Sequence, residues 1–302
     1  MADESGAINR NTSNTNYGTI ENEGGPSTHQ IHEVHIDPRG WSFIKYKFRE
    51  PFAEFLGTFT LVTFGIGSIA QTVLSKGENG NWITISLGFG LGLALALAVS
   101  GSISGGHLNP AVTITLAVYR NFPWLKVPIY ILAQTAGAFV AAFVVYLNYH
   151  AALANFDGGN RIVTGANATA GIFATYPAPF MGTLGSFFSE ALGTFFLLLV
   201  ILAVTDSHRN HPNITIVAPI IIGLGLFTIA ISFGYETGFA LNGARDFGPR
   251  LFTFLVGYGV EVFTASKFYF WIPLVAPVVG GLSAGFVYDS LIYWGKSPLN
   301  NN

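Results

Sequence analysis

Six long apolar stretches constrain this sequence more than any other feature. A helix needs about 20 apolar residues to cross a hydrocarbon core roughly 30 Å thick. The stretches that meet this requirement are 52–74, 82–103, 127–148, 181–205, 214–235 and 268–288. Only 10% of the 302 residues are charged, against about 25% in soluble domains. We therefore predict an all-α membrane protein that crosses a lipid bilayer with these stretches.

The composition argues against several kinds of chemistry. The chain contains no cysteine, which rules out disulfides and thiol catalysis. Its net charge of −2 gives no support for binding to nucleic acid. It has no nucleotide-binding loop and no convergent set of histidine and carboxylate residues, so we predict no enzyme activity and no cofactor. His29, His32 and His35 are spaced like metal ligands, but their polar surroundings favour a solvated tail over a metal site.

The distribution of polar and basic residues predicts how the chain is divided and oriented. Residues 1–49 are rich in Asn, Ser, Thr and Gly, which predicts a disordered tail. Basic residues concentrate on the side of the membrane that holds this tail, so both termini are predicted to be cytoplasmic, with the plasma membrane as the expected location. The predicted parts are the tail 1–49, a membrane domain 50–295 with half-repeats at about 50–150 and 181–295, an extracellular linker 151–180, and a short cytoplasmic tail 296–302.

Two loops carry residues that modification or protonation could change. Asn167 begins an Asn-Ala-Thr sequon in the extracellular linker, and we predict that it is glycosylated. His208 and His211 lie in a cytoplasmic loop, where they could sense pH. A solvated loop without such a role is the alternative that we favour for these histidines.

The sequence contains an internal repeat. "AEFLGTFTL" at 53–61 returns as "SEALGTFFL" at 189–197, and "GHLNPAV" at 106–112 returns as "FALNGAR" at 239–245, each about 135 residues further along. Each half contains an odd number of predicted spans, so the second half enters the membrane from the opposite side, as in an inverted repeat. The two asparagine motifs therefore approach each other from opposite faces.

A short helical pattern follows each asparagine motif, "PAVTITLAVY" at 110–119 and "GARDFGPRLF" at 243–252. Such a helix reaches about 15 Å, half of the hydrocarbon core, so two half-helices make one crossing and meet near the midplane. Irregular backbone is tolerated at this depth only where it is buried in protein or lines a watery cavity. The pattern predicts a pore.

The residues at the half-helix starts suit this prediction. Asn109 and Asn242 stand at N-cap positions, where the side-chain oxygen accepts backbone N–H groups and the amide is left to donate into the pore. The N-termini of both half-helices point positive dipole ends at the pore centre, which repels cations. Arg245 in the first turn opposes this dipole and is costly at membrane depth, so it indicates a function. A structural arginine paired with Asp246 is the alternative.

At these residues the sequence resembles the major intrinsic protein family, which contains the aquaporins and glycerol facilitators. The resemblance covers roughly 50–295 and is carried by "SGGHLNPAV" at 104–112, "ARDFGPR" at 244–250 and the two "E-x-LGTF"-like segments. It implies six tilted helices plus two re-entrant half-helices in an aquaporin-like channel domain, and a homotetramer with one pore per subunit. The implied pore motifs are Asn109, Pro110 and Ala111 in the first half and Asn242, Gly243 and Ala244 in the second.

The resemblance also implies a selectivity filter and a class of solute. Counting from the asparagine motifs puts the four filter positions at Phe89, Ala230, Phe239 and Arg245. Water-only members of the family typically have histidine where Ala230 stands, and Asp246 after the arginine is typical of the glycerol-conducting branch. Gly243 in place of proline and the loop 158–179 resemble fungal members. The implied function is a passive channel for glycerol, other small polyols and water that excludes protons and ions; the alternatives are a water-selective channel and a non-conducting membrane sensor or adhesion protein.

Four further residues are interpreted as structural supports of the pore. The symmetric positions of Glu54 and Glu190 predict that each carboxylate accepts hydrogen bonds from the loop behind a half-helix, with a proton relay as the alternative. His107 is predicted to be packed and hydrogen-bonded. Gln134 lies in a stripe of small residues, where a hydrogen bond between helices is favoured over contact with solute.

Overall fold

The computed structural model describes residues 39–206 and 212–300, and nearly all regular structure within these ranges is helical. Six of the described segments are long and apolar enough to span a membrane, namely Arg49–Leu74, Trp82–Ser104, Trp124–Asp157, Thr183–Thr205, Ile216–Thr237 and Glu261–Leu291. This arrangement confirms the predicted all-α membrane fold. The protein is therefore an integral, multi-pass membrane protein.

The helices follow the predicted order along the chain. They are α1 (Trp41–Lys47), α2 (Arg49–Leu74), α3 (Trp82–Ser104), α4 (Pro110–Tyr119), α5 (Val127–Asp157), α6 (Thr183–Thr205), α7 (Pro212–Thr237), α8 (Gly243–Thr253), α9 (Glu261–Phe268) and α10 (Ile272–Leu291). The short helices α4 and α8 are the two half-helices. A π-helical turn, Phe254–Tyr258, follows α8, and a 3₁₀ turn, Tyr269–Trp271, leads into α10.

The chain divides into two compact units, Met1–Lys47 and Phe48–Asn302. In the first unit, α1 has no buried residue. The predicted disordered tail through residue 49 is helical at 41–47, because this segment has neither glycine nor proline and mixes aromatic with basic residues, as helices at a membrane surface do. Residues 1–38 and 207–211, which hold the histidines considered as metal ligands and pH sensors, lie outside the described residues.

Helix α5 is longer than the hydrophobic pattern predicts. It runs to Asp157 and ends where Gly158 adopts a left-handed φ of 67°. The sequence after residue 148 is less apolar but contains no glycine or proline before this point, so the helix continues past the predicted span. The segment between α5 and α6 therefore begins at 158 and not at the predicted 151.

Within the second unit, helix packing follows the repeat. Helix α2 packs on α3 and α5, and the equivalent α6 packs on α7 and α10. The halves are joined where α3 packs on α7, α8 on α5 and α4 on α10. Two glycines permit close approach: a Cβ at Gly137 of α5 would meet the Phe55 carbonyl of α2, and one at Gly280 of α10 would meet the Ala191 carbonyl of α6. The packing of α8 on α5 and of α4 on α10 holds each half-helix against a long helix of the other half.

Candidate pore

The two half-helices begin in the same way. Asn109 precedes α4 with extended backbone, and its side-chain oxygen accepts a hydrogen bond from the Ala111 N–H at 2.8 Å. Asn242 precedes α8, and its side-chain oxygen accepts from Ala244 at 3.0 Å and from Arg245 at 3.2 Å. Both asparagines are N-caps, since their side chains satisfy backbone donors that the first turn of a helix leaves unpaired.

Pro110 and Gly243 occupy the first positions of the two half-helices. Proline suits this position because its fixed φ is helical and its missing N–H needs no partner. Glycine has no such preorganisation, which is why we predict a softer start for α8. The structure nevertheless begins α8 at Gly243, so the replacement of proline leaves the Asn242 cap in place.

The asparagine amides also tie the two half-helices together. The Asn109 amide donates to the Leu241 carbonyl at 2.8 Å, and the Asn242 amide donates to the Leu108 carbonyl at 2.7 Å. The prediction left both NH₂ groups free to donate into the pore. The structure uses one of the two hydrogens on each, because each opposing loop brings a carbonyl within reach. One donor per amide remains for a solute.

These carbonyls are aimed by an unusual backbone conformation. Leu108 has a φ of 54° and Leu241 a φ of 51°. Positive φ in a non-glycine residue costs about 1–3 kcal/mol and persists only where the surroundings hold it. The same conformation at the same place in both halves indicates that the pore requires this loop shape.

Glu54 of α2 holds the first loop from behind. Its carboxylate accepts hydrogen bonds from the backbone N–H groups of His107 at 2.9 Å and Leu108 at 2.7 Å. It also accepts from the Ser104 hydroxyl at 2.6 Å and from the Gln134 amide at 2.8 Å. The side chain is fully buried. Each of its oxygens therefore accepts from at least one donor of the loop or of a neighbouring helix.

Glu190 of α6 holds the second loop in the equivalent way. Its carboxylate accepts from the backbone N–H groups of Ala240 at 3.0 Å and Leu241 at 2.7 Å. The Tyr269 hydroxyl adds a longer bond of 3.4 Å. Glu190 and Glu54 thus meet corresponding pairs of loop residues, although Glu54 has the stronger set of side-chain partners.

His107 and Gln134 pack around the start of α4. The His107 ring lies 4.6 Å from the Phe122 ring and 5.0 Å from the Tyr130 ring, centroid to centroid. Its Nδ1 is 3.2 Å from the Thr113 hydroxyl, which also accepts from the Gln134 amide at 3.0 Å. Gln134 on α5 therefore connects α2 and α4 by hydrogen bonds.

Arg245 projects from the first turn of α8 into a cavity. It is only 2% exposed, and its Nη1 donates to the Phe173 carbonyl at 2.9 Å. The guanidinium carbon lies 4.8 Å from the centroid of the Phe89 ring. Its Nε has no hydrogen-bond partner among the described residues. The alternative in which Arg245 is paired with Asp246 is wrong, because the Asp246 carboxylate binds Arg250.

The pair of Asp246 and Arg250 is buried inside the protein. Arg250 Nε donates to Asp246 at 2.8 Å, and both side chains are 1% exposed. Asp246 also accepts from the backbone and hydroxyl of Thr175 at 2.8 and 2.6 Å, while Arg250 donates to the Thr175 and Val262 carbonyls, each at 2.6 Å. The guanidinium stacks 4.7 Å above the Tyr176 ring, and burial raises the pKa of Tyr176 to about 12. The pair thereby fastens the 173–176 segment that presents a carbonyl to Arg245.

A cavity of about 310 Å³ runs between the half-helices. The half-helices and the loops before them contribute polar groups to its lining, from Arg245, Asn242, Asn109 and the segments 105–108 and 239–241. The long helices α2, α3, α6 and α7 contribute apolar side chains, namely Leu61, Leu93, Leu97, Leu197, Ile201, Ile222 and Leu226. The lining therefore offers both groups that can bind hydroxyls and surfaces that can pack against carbon.

Three of the four predicted filter residues meet at one end of this cavity. Phe89, Phe239 and Arg245 line it, and the two phenylalanine rings meet edge to face with centroids 5.2 Å apart. Ala230, predicted as the fourth member, does not belong to the lining that the structure describes. It is fully buried, and its carbonyl accepts from the Trp82 indole at 3.1 Å. Ala230 therefore lies beside Trp82 and contributes no surface to the cavity.

Arg120 lies at the other end of the cavity. It follows α4 and forms two hydrogen bonds with Asp289 of α10, at 2.7 and 2.9 Å. Its guanidinium carbon is 3.7 Å from the centroid of the Tyr293 ring. The side chain is 19% exposed, whereas that of Asp289 is buried. The positive charge at this end is therefore neutralised by a neighbouring helix.

Comparison with known proteins identifies the family. The sequence pattern described as "Major intrinsic protein" matches residues 41–288. The chain belongs to the major intrinsic protein family. It is 69% identical to Aquaglyceroporin-2 of Rhizophagus irregularis, over 100% of this chain and 97% of that protein. It is 48% identical to Aquaglyceroporin-9 of Botryotinia fuckeliana, over 86% of this chain and 57% of that protein.

A solved structure agrees with this assignment. The X-ray structure of the aquaglyceroporin from Plasmodium falciparum matches with a TM-score of 0.72 at 38% identity, covering 81% of this chain and 96% of that one. The predicted membership in the family, in its aquaglyceroporin branch and of fungal type, is confirmed by these relatives.

In this member of the family, sequence reasoning missed three contributors to the pore. Arg250 was not among the predicted site residues, although its i to i+4 spacing from Asp246 could have indicated the pair. The Phe173 carbonyl is a backbone atom of a long loop and gives no sequence signal. Trp82 was not considered, because its partner Ala230 is far away along the chain.

The predicted glycosylation residue Asn167 lies at an exposed position, but the sequon's third residue does not. Thr169 is fully buried, and its hydroxyl donates to Asp157 at 2.9 Å and lies 2.8 Å from the Tyr258 hydroxyl. Asp157 also accepts two hydrogen bonds from Arg161, at 2.9 and 3.0 Å. Thr169 therefore helps to anchor the loop that ends in Phe173.

Proposed function

We propose that this protein is a passive channel that conducts glycerol, other small polyols and water while excluding protons and ions. The observation that carries the proposal is the mixed lining of the cavity, in which the half-helices and their loops supply hydrogen-bonding groups and the long helices supply apolar side chains. A polyol has the matching character, since it carries hydroxyl groups on a carbon chain. The names of the relatives at 69% and 48% identity support the same solutes.

The selectivity filter is assigned to Phe89, Phe239 and Arg245, with Ala230 as a small fourth residue whose carbonyl holds Trp82 beside Phe239. Arg245 can donate from its unpartnered Nε and from the guanidinium hydrogens that the Phe173 carbonyl does not use. The edge-to-face rings give carbon atoms an apolar surface. Solutes larger than the filter are then rejected by their size. Solutes that cannot accept hydrogen bonds are rejected because they would leave the buried donors of Arg245 unpaired.

Exclusion of cations is assigned to the centre of the pore. The half-helix N-termini each carry about half a positive charge, and both end at the asparagines. Asn109 and Asn242 each keep one N–H donor for a passing solute. A water molecule that accepts from both asparagines turns its own hydrogens outward, which interrupts the chain of donors that a proton would follow.

The finer organisation is proposed from the sequence. We place the channel domain at 50–295, both termini in the cytoplasm, and the 158–182 segment outside, with glycosylated Asn167. The positive-inside distribution of basic residues supports this orientation. The assembly is proposed to be a homotetramer in the plasma membrane. A mass shift removed by Asn167→Gln, with Thr169→Ser as the variant that keeps the sequon, tests the external placement.

Stopped-flow light scattering on proteoliposomes tests the transport proposal. Sucrose should cause fast shrinkage by water efflux, and glycerol should cause shrinkage followed by fast re-swelling, both relative to empty liposomes. Fast water efflux with slow glycerol entry would favour the water-selective alternative, and no excess flux would favour a non-conducting protein. Ala230→His replaces a buried methyl group beside the filter by an imidazole, which should narrow the filter and lower glycerol permeability roughly tenfold while water permeability changes little. An unchanged glycerol rate in that variant would refute the filter assignment.

A further inference from the structure

The aromatic surface of the filter continues to a residue outside the cavity lining, Trp82. Its ring meets the Phe239 ring edge to face, with centroids 5.7 Å apart at 84°. Phe89 meets the same ring at 5.2 Å and 82°. Trp82 and Phe89 lie two turns apart on one face of α3. The Phe239 ring is therefore held by two aromatic residues of a single helix.

Trp82 is itself held in place by contacts with α7. Its indole N–H donates to the Ala230 carbonyl at 3.1 Å, a bond that joins the two halves of the repeat. One turn further along α7, a Cβ built at Gly234 would lie 2.6 Å from Trp82 Cζ2 and 2.7 Å from Phe239 Cδ1. Gly234 is thus the surface on which both rings rest. A larger residue there would displace at least one of them.

The start of α3 gives Trp82 a rigid base. Asn81 caps the helix, and its side chain accepts from Ile83 at 3.0 Å and Thr84 at 3.3 Å. The Asn81 N–H in turn donates to the Thr84 hydroxyl at 3.2 Å, which completes a capping box. The position of the Trp82 backbone is therefore determined by local hydrogen bonds.

Phe239 needs this support more than the other filter residues do. It lies in the loop before α8 with a φ of 42°, a conformation that non-glycine residues rarely adopt. Phe89 belongs to the interior of α3, whereas Phe239 belongs to a loop without helical hydrogen bonds of its own. Its ring position depends on what it packs against.

We infer that Trp82 is a specificity-determining residue of the channel, which sets the width of the filter by holding the Phe239 ring and by its hydrogen bond to the Ala230 carbonyl. It acts through these two residues and is therefore a positioning residue. The inference rests on the proposed function. It predicts that changes at Trp82 alter which polyols pass more than they alter the flow of water.

The test compares permeabilities to water, glycerol and the four-carbon polyol erythritol in proteoliposomes that contain equal amounts of folded protein. Trp82→Ala should raise the ratio of erythritol to glycerol permeability roughly tenfold, because Phe239 loses one of its supports. Trp82→Phe keeps a ring but loses the hydrogen bond to Ala230, so an intermediate rise is expected. Gly234→Ala forces the rings apart and should change the ratio of glycerol to water permeability several-fold, by an amount comparable to one methyl group in a binding pocket.

Trp124→Ala is the matched control, since Trp124 is 59% exposed and lies on a 3₁₀ turn away from the filter. It should leave all permeability ratios unchanged. Wild-type glycerol conduction with unchanged ratios in both Trp82 variants and Gly234→Ala would overturn the inference and leave the proposed function standing. An equal shift in Trp124→Ala would also overturn it. If Trp82→Ala does not fold, the Trp82→Phe and Gly234→Ala variants decide. Absence of glycerol conduction in the wild type would instead refute the proposed function.

Discussion

The two half-helices share their architecture and differ in their chemistry. Each follows a leucine with positive φ, begins at an asparagine cap, and has a loop held by a buried glutamate. Helix α4 is uncharged along its whole length, whereas α8 carries Arg245, Asp246 and Arg250. The shared parts form the centre of the pore, where both halves contribute equally. The parts unique to α8 are Arg245, which lines the cavity, and the buried pair of Asp246 and Arg250.

The largest effect is expected from the ion pair that only α8 contains. Arg250→Ala leaves the carboxylate of Asp246 buried without its cation, and breaking a buried pair in this way costs about 3–5 kcal/mol of unfolding free energy. Unfolding of the purified protein by SDS in mixed micelles measures this loss. Arg120→Ala is the control beside α4, and a smaller loss is expected because Arg120 is 19% exposed and water can reach its site. Equal losses of unfolding free energy would show that burial does not make the Asp246–Arg250 pair more important for stability than the pair of Arg120 and Asp289.

A smaller loss is expected when either loop-holding carboxylate becomes an amide. Glu54→Gln and Glu190→Gln each replace an acceptor oxygen by a donor that faces backbone N–H groups, at a cost of about 1–3 kcal/mol. Thermal unfolding should show the larger loss for Glu54→Gln, because Ser104 and Gln134 also donate to Glu54. A proton relay predicts the opposite pattern, namely unchanged stability together with loss of a pH-dependent flux.

A change in selectivity without a large change in stability is expected for Arg245, the third residue after Asn242. Val112 occupies the corresponding position in α4 and serves as the control, since both residues line the cavity. Arg245→Ala removes the positive charge and should raise proton leak roughly tenfold, which corresponds to about 1.4 kcal/mol in the barrier. Val112→Ala should leave the leak unchanged. Proton flux into liposomes that contain a pH-sensitive dye measures both, and equal leaks would contradict the assignment of selectivity to α8.

The smallest effect is expected from mercurial reagents. The chain contains no cysteine, so mercuric chloride should leave the water permeability of the wild type unchanged. Val112→Cys places a thiol on the α4 side of the cavity and should become sensitive. Inhibition of the wild type would show that the reagent acts at a site other than a thiol.

Much of the fold could be predicted from the sequence because it depends on local rules. Helix α4 spans 110–119 as predicted, and α8 spans 243–253 where 243–252 was expected. Hydropathy located the six spans, and the repeat with its odd number of spans per half placed the half-helices head to head. Helix lengths were less predictable: α5 runs to 157 because nothing in its sequence stops it, although the apolar pattern ends near 148.

The site could be predicted only in part. The sequence by itself determined which residues cap the half-helices and which basic side chain, that of Arg245, lines the pore. Capping and helix spacing relate residues at most four positions apart, so a local pattern encodes them. Only the tertiary structure decided that each asparagine donates to the opposite loop, that Phe173 offers its carbonyl to Arg245, and that Trp82 lies beside Ala230. These contacts join residues far apart in the chain, so they depend on the paths of loops and on which helices pack together, and no local pattern encodes them.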